Sequence, residues 1–225
     1  MARISGFTIM ATGFCIVMDD RLRLVQMLSP AFPIGGFAYS QGLEQVMATG
    51  QVTADSLEDW VCDVLEFGTP QMDAVIIAQA HTGADPDQLS DLIRAMASCA
   101  ERHIELMEQG RAFCALVAGM TGETVSVRPY PVAVGLATRG LSVSVEEVLA
   151  LFLHGAAAQM ISAAVRFLPM GQTRGQAMLA RLGPRIALIA QRAANTPLEE
   201  IGSFTPGADM AAMRHETLEV RIFRT

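Results

Sequence analysis

Between Glu147 and Arg166 the chain runs for eighteen residues, Val148 to Val165, without an Asp, a Glu or an Arg. A stretch of that length is close to the shortest that crosses a bilayer as a helix. His154, Gln159 and Ser162 interrupt it, however, and no aromatic belt flanks it. The reading that follows is a central helix fully buried in protein. Such a helix needs neighbours on every side, and the rest of the chain supplies them at the helical period.

Arg21 to Leu28 places Leu22, Val25 and Leu28 on one face, and Ser29-Pro30 ends it. A helix over Ser40–Ala48 stops at Gly50. Asp55-x-x-Glu58 resembles a capping box, with Leu57, Trp60, Val61, Val64 and Leu65 striped behind it. Met72 to Ala80 follows, and Asp85-Pro86 then opens a helix that presents Leu89, Leu92, Ile93 and Met96. Ala100 to Ala118 turns Ile104, Met107, Phe113, Leu116 and Val117 inward. Thr124 to Val127 is β-flavoured but too short to imply a sheet, and Tyr130 to Ala137 is a short helix. Ser144 starts the central helix, which ends near Phe167-Leu168-Pro169. Thr173 to Ala194 is helical, with a kink or restart at Pro184. The expected architecture is all-α: a single-domain bundle of about eight to ten helices over residues 18–225. After Asn195-Thr-Pro197 comes a polar C-terminal tail, while residues 1–17 form a loose N-terminal extension and Met18 is an alternative start.

Composition removes whole function classes. With 51% hydrophobic and 17% charged residues, the chain of 225 can bury enough surface to offset its ordering entropy. All 16 basic residues are arginine. Without lysine there is neither a phosphate-loop Lys nor a Schiff-base amine for pyridoxal chemistry. A net charge of −7 leaves no basic face for nucleic acid. Cys15, Cys62, Cys99 and Cys114 form no C-x-x-C pair, which points to a reducing, cytoplasmic setting. His81, His103, His154 and His215 are scattered; no H-E-x-x-H, G-x-S-x-G or G-x-G-x-x-G motif occurs. No catalytic, cofactor-binding or metal-binding residue is nominated. A helical hydrolase with a dispersed Ser/His/Asp set, or a metal carrier using scattered His and Cys, stays open as an alternative.

Two segments are richer than packing requires. Ser29-Pro-Ala-Phe-Pro-Ile-Gly-Gly-Phe-Ala-Tyr-Ser-Gln-Gly-Leu-Glu44 concentrates Pro, Gly and aromatics where a bundle needs only a connection. At the other end, Gly202-Ser-Phe-Thr-Pro-Gly207 precedes a helical turn, Asp209 to Glu216, and the chain closes on Val220-Arg-Ile-Phe-Arg224-Thr. Arg and Phe at positions that usually fray indicate a segment that docks.

These two stretches, with Leu168-Pro-Met-Gly-Gln172 between them, resemble the urease accessory protein UreF family. The likeness covers about Arg21 to Thr225. It implies an all-helical, homodimeric protein without catalytic activity or a tightly bound cofactor. Such a protein joins UreD (also called UreH) to the GTPase UreG, which binds the GTP, and the assembly loads nickel into apo-urease. On this basis Pro33, Gly35, Gly36, Phe37, Tyr39, Ser40, Gln41 and Gly42 are expected to form the UreD side together with Met213, Arg214, His215, Glu216, Arg221, Phe223 and Arg224. The tail should dock beside the loop and become fixed on binding. Neither nucleic acid nor a membrane is expected as a partner.

Overall fold

A computed structural model describes residues 19–224, so the expected extension over 1–17 and the start at Met18 lie outside the described residues. All the regular secondary structure of the described residues is helical, with no strand. In chain order the helices are α1 (Asp20–Leu28), α2 (Leu43–Ala48), α3 (Leu57–Phe67), α4 (Thr69–Thr82), α5 (Pro86–Ala95) and α6 (Ala100–Thr121). They continue as α7 (Tyr130–Thr138), α8 (Val145–Phe167), α9 (Gln172–Ala194) and α10 (Pro206–His215), with 3-10 turns at Gly36–Ala38 and Leu198–Glu200.

Local chemistry accounts for the boundaries that the sequence makes plain. Ser144 caps α8 by accepting from the Glu147 amide, and Asp85 caps α5 through the Asp87 amide ahead of Pro86. Gly83 and Gly122 end α4 and α6 in the left-handed region. The uncharged run becomes α8, which packs against α1, α2, α3, α4 and α9. By length and composition α8 could cross a membrane, but it is the middle of this core. Only half of its most apolar window is buried. The expectation of a fully buried helix is corrected here: His154 and Ser162 are exposed and Gly155, Ala158 and Gln159 are half-buried, leaving one stripe open.

Several inward faces differ from expectation. α1 buries Leu24, Met27 and Leu28, whereas Leu22 and Val25 are 59% and 52% exposed. Both stripes have helical spacing, and only the position of α8 chooses between them. On α6, Ile104 points outward, and the buried residues of the first three turns are mostly polar, Arg102, Glu105 and Gln109 beside Leu106. Asp55 does not cap α3, which starts one residue after Ser56; the Asp55 carboxylate instead accepts from Arg174 at 2.7 Å. α2 starts at Leu43, not Ser40, because Gln41 and Gly42 have positive φ. α9 runs through Pro184 without a restart. Pro184 and Ala180 both face solvent, where water can take the hydrogen bond the proline removes. The polar tail is likewise corrected: α10 packs on α2 and α6, and Phe223 is buried.

α4 and α7 cross closely, and Gly135 permits it. A Cβ there would stand 2.5 Å from the Ala80 Cβ and 2.6 Å from the Ile77 carbonyl oxygen. Backbone cannot retreat as a flexible side chain does. Gly135→Ala is expected to cost about 1–3 kcal/mol, seen as a lower urea midpoint with unchanged m-value; an unchanged midpoint counts against this crossing.

Candidate functional site at the glycine loop and the C-terminal segment

The loop turns twice on residues in the left-handed region. Gly35 has φ 79° and leads into the 3-10 turn; Gln41 and Gly42, at φ 53° and 79°, make the tight turn into α2. Gly42 is also held by contact, since a Cβ would meet the Ala212 amide nitrogen at 2.5 Å and the Ala211 carbonyl carbon at 2.8 Å. Glycine at this position lets α10 lie directly against the start of α2. The Gln41 side chain is anchored by donating to Glu105 at 3.2 Å, and the Ser40 hydroxyl accepts from the Glu44 amide at 3.3 Å. This turn delivers Glu44 into the interior, where its residue is 3% exposed.

Glu44 organises the C-terminal segment. One carboxylate oxygen accepts from the Ile222 amide at 2.7 Å. The other accepts from the Phe223 amide at 3.0 Å and faces His215 Nε2 at 3.0 Å. On the far side of the ring, Nδ1 of His215 lies 2.8 Å from Glu101. Glu101 also takes Arg221 at 2.5 Å, and its own amide donates to Glu216 at 3.1 Å. His215 is 0% exposed. With a carboxylate at each ring nitrogen, both contacts are hydrogen bonds only if both nitrogens donate or a carboxyl carries a proton. The two carboxylates sit on opposite edges of the ring, so they cannot converge with it on one ion.

Beyond this pair of ties, the last residues close over the loop. The Arg224 amide donates to the Ala38 carbonyl at 2.7 Å, and its guanidinium lies 5.7 Å from the Tyr39 ring centre and pairs with Glu108 at 2.8 Å. Tyr39 donates to Glu108 at 2.7 Å. Burial and the Glu108 carboxylate push the Tyr39 phenol up, while the tyrosine hydroxyl and Arg224 hold the Glu108 carboxyl below its ordinary range. Arg166 donates to the Phe37 carbonyl at 2.8 Å and stacks 4.4 Å from the ring centre of Phe223.

The structure therefore brings the expected loop and tail residues together within one chain. It separates them into two roles. Tyr39, Ser40, Gly42, His215 and Phe223 are buried and hold the segment down. Pro33, Phe37, Met213, Arg214, Arg221 and Arg224 are exposed, with Gly35, Gly36, Gln41 and Glu216 half-buried between them. Glu44, Glu101, Glu108 and Arg166 were not singled out by sequence. Only Glu44 carried a hint, as the acidic residue closing the Gly-Phe-Ala-Tyr-Ser-Gln-Gly-Leu run.

Behind the loop lies a second buried polar group, also missed. Arg102 of α6 pairs with Asp73 of α4 and donates to Glu105 at 2.8 Å, and Gln109 donates to Glu105 at 3.0 Å. Burial works against the Arg102 charge, but two carboxylates hold its pKa above the usual range. Asp73 has only that shared cation against complete burial, and is pushed up to about 6. Its signal in the sequence is an acid set within the apolar Met72–Ala80 run. Elsewhere, among the described residues, no group of three His, Cys, Asp or Glu side chains is placed to hold a metal ion. Burial pushes the thiols of Cys62, Cys99 and Cys114 up.

With the geometry in hand, comparison with known proteins adds the family. The UreF family model matches residues 52–183. A protein named urease accessory protein UreF from Cereibacter sphaeroides is 56% identical over 205 residues, covering 91% of this chain and 98% of its own. That of Paracoccus denitrificans is 52% identical over 206 residues, covering 91% and 96%. That of Roseobacter denitrificans is 39% identical over 221 residues, covering 97% and 100%. The chain belongs to the UreF family. Both the glycine loop and the C-terminal segment of this UreF-family chain fall outside the residues matched by the family model.

Two outcomes test the site. Glu44→Ala strips an acceptor from two tail amides and His215 and should cost about 3 kcal/mol. Hydrogen exchange should then show residues 217–224 losing protection before the helices do; equal protection in variant and parent would refute the tie. For Asp73, the folded-state pKa near 6 exceeds the ordinary 3.8, so the folded chain holds the proton that the unfolded chain releases. Stability from this group is thus full below about pH 4, falls as pH rises towards 6 and then levels off. The difference in unfolding free energy between parent and Asp73→Asn should follow that curve, and a flat difference from pH 4 to 7 would contradict it.

Proposed function

We propose that the chain acts as a non-catalytic adaptor in urease maturation. It joins UreD (UreH) to the GTPase UreG so that nickel, the cargo, reaches apo-urease in a GTP-dependent step. In this reading the chain binds no cofactor tightly, works as a homodimer in the cytoplasm, and leaves GTP to UreG. The family assignment supports it, as do the names of the relatives, all accessory proteins.

One observation carries the proposal furthest. The glycine loop and the last residues form a continuous surface, joined by the Arg224–Ala38 backbone hydrogen bond of 2.7 Å. Large apolar side chains stand on it without cover: Phe37 is 71% exposed, Val220 84%, Ile222 63% and Met213 48%. Arg214, Arg221 and Arg224 ring them with charge. Apolar anchors edged by arginine are the composition of a protein-binding hot spot. We assign this surface to UreD. Because the segment is already seated, partner binding need not supply the ordering entropy that a loose tail would require.

The double variant Phe37→Asp/Ile222→Asp changes only exposed side chains, and its melting temperature should match the parent. Co-purification with UreD should fall by at least about tenfold, and urease formed with the variant should contain correspondingly less nickel. Parent-level UreD capture by a folded double variant would remove this surface from the interface.

A further inference from the structure

The glycine loop, α6 and the open stripe of α8 enclose a cleft of about 180 Å³ that opens to solvent. Phe37 belongs both to this cleft, which it lines, and to the surface assigned above, where it is 71% exposed. Phe32, Phe152 and Met160 wall the cleft and are otherwise buried. The charged side chains at its floor, Asp73, Arg102 and Glu105, are spent on one another and on Gln41 and Gln109. The unpaired Asp73 Oδ1 and Arg102 Nε are sealed off, so nothing in the cleft can reach them. What the cleft offers a visitor is mainly apolar surface. Two features keep it open. α8 contributes Gly155, Ala156 and Ala158, which are too small to fill it. The loop is pinned: Arg166 donates to the Phe37 carbonyl at 2.8 Å, and Gln159 donates to the Tyr39 carbonyl at 3.3 Å.

We propose that the cleft receives one phenyl-sized apolar side chain of the protein that covers Phe37, as the buried centre of that interface. Size permits it, since a dry apolar cavity of about 150 Å³ already holds benzene. Aromatic walls and the Met160 thioether suit a ring, which can meet them edge to face and through sulfur. A charged side chain would be stripped of water there without a free counter-charge to meet it. A free small molecule would stay partly wetted at the open mouth, whereas a protein lying on Phe37 closes it. Binding energy concentrates where an anchor leaves water completely, and a pocket beside an exposed aromatic supplies such a place. Because hydrogen bonds already hold the loop, little has to be ordered when the side chain enters. This inference rests on the adaptor reading, because it takes UreD as the source of the side chain.

Ala156→Leu and Ala158→Leu each fill the cleft from the α8 wall and change neither Phe37 nor the tail. With melting temperatures like the parent's, both should capture UreD at least about tenfold more weakly. Benzene is a probe that needs no variant. Titrated into the isotope-labelled full chain, it should give saturable shifts of the α8 backbone amides around Met160, and at saturation it should lower UreD capture by the parent. A crystal structure of the complex should show an apolar UreD side chain in the cleft. Parent-level UreD capture by the folded Leu variants overturns the inference and leaves the adaptor reading standing. So does benzene that gives no saturable shift or leaves capture undiminished, or a complex whose cleft holds no UreD side chain. A parent chain that fails to bind UreD at all overturns both.

Discussion

Placing Glu44, His215 and Glu101 in the interior is the demand that organises this end of the molecule. Removing a carboxylate from water costs several kcal/mol per ion, and the interior returns that only when nearly every lone pair is met. Glu44 meets the condition with two backbone amides and a ring nitrogen, all within 3.0 Å. None of those donors is local: they come from residues more than 170 positions away. The final residues are therefore a requirement of α2, and α2 is a requirement of the final residues. The turn at Gln41-Gly42 serves the same end. It points Glu44 inward and lets α10 approach to backbone contact, which no residue with a Cβ would allow at Gly42.

Arginine suits this arrangement, and the chain uses nothing else as a fixed cation. The Arg224 guanidinium holds a carboxylate and a ring face at once; that of Arg166 joins a carbonyl of the loop to the ring of Phe223. A planar fork can make such divided contacts, where an ammonium acts as a point charge. The same preference appears along α9, where Arg181 grips Glu58 and Arg185 and Arg192 share Glu66. Those pairs are largely exposed and add little stability singly. Their effect is to tie α9 to α3.

Fold class was legible because it rests on repeated local signals. The uncharged run, the caps at Ser144 and Asp85, and the glycine stops each act within a few residues, so a linear reading finds them. The failures share a cause too. Leu22 and Val25 satisfy helical spacing as well as Leu24 and Leu28 do, and the choice lies in where α8 passes. Ile104 looked inward because an apolar residue usually is, yet the inner face of α6 had been taken by the Arg102 network. Asp73 and Arg102 stand 29 residues apart on different helices, with no period connecting them. A charged side chain in an apolar run shows that some partner must exist; it does not say which.

The tail shows how far a chemical reading of composition reaches. Its arginines and phenylalanine correctly marked a segment that docks beside the loop, but they suggested a tail that waits for a partner before ordering. Entropy argues for waiting only when the segment has no buried anchor of its own. Phe223 at 3% exposure and His215 at 0% are such anchors, and both are already satisfied within the chain. The outer layer, Phe37, Met213, Val220 and Ile222, stays exposed on that anchored base, and it is the part the proposed interface would use. A surface built this way trades the adaptability of a disordered arm for preorganisation. On the interface proposed above, the partner is recognised by the shape that these apolar side chains present, and not by the act of folding them.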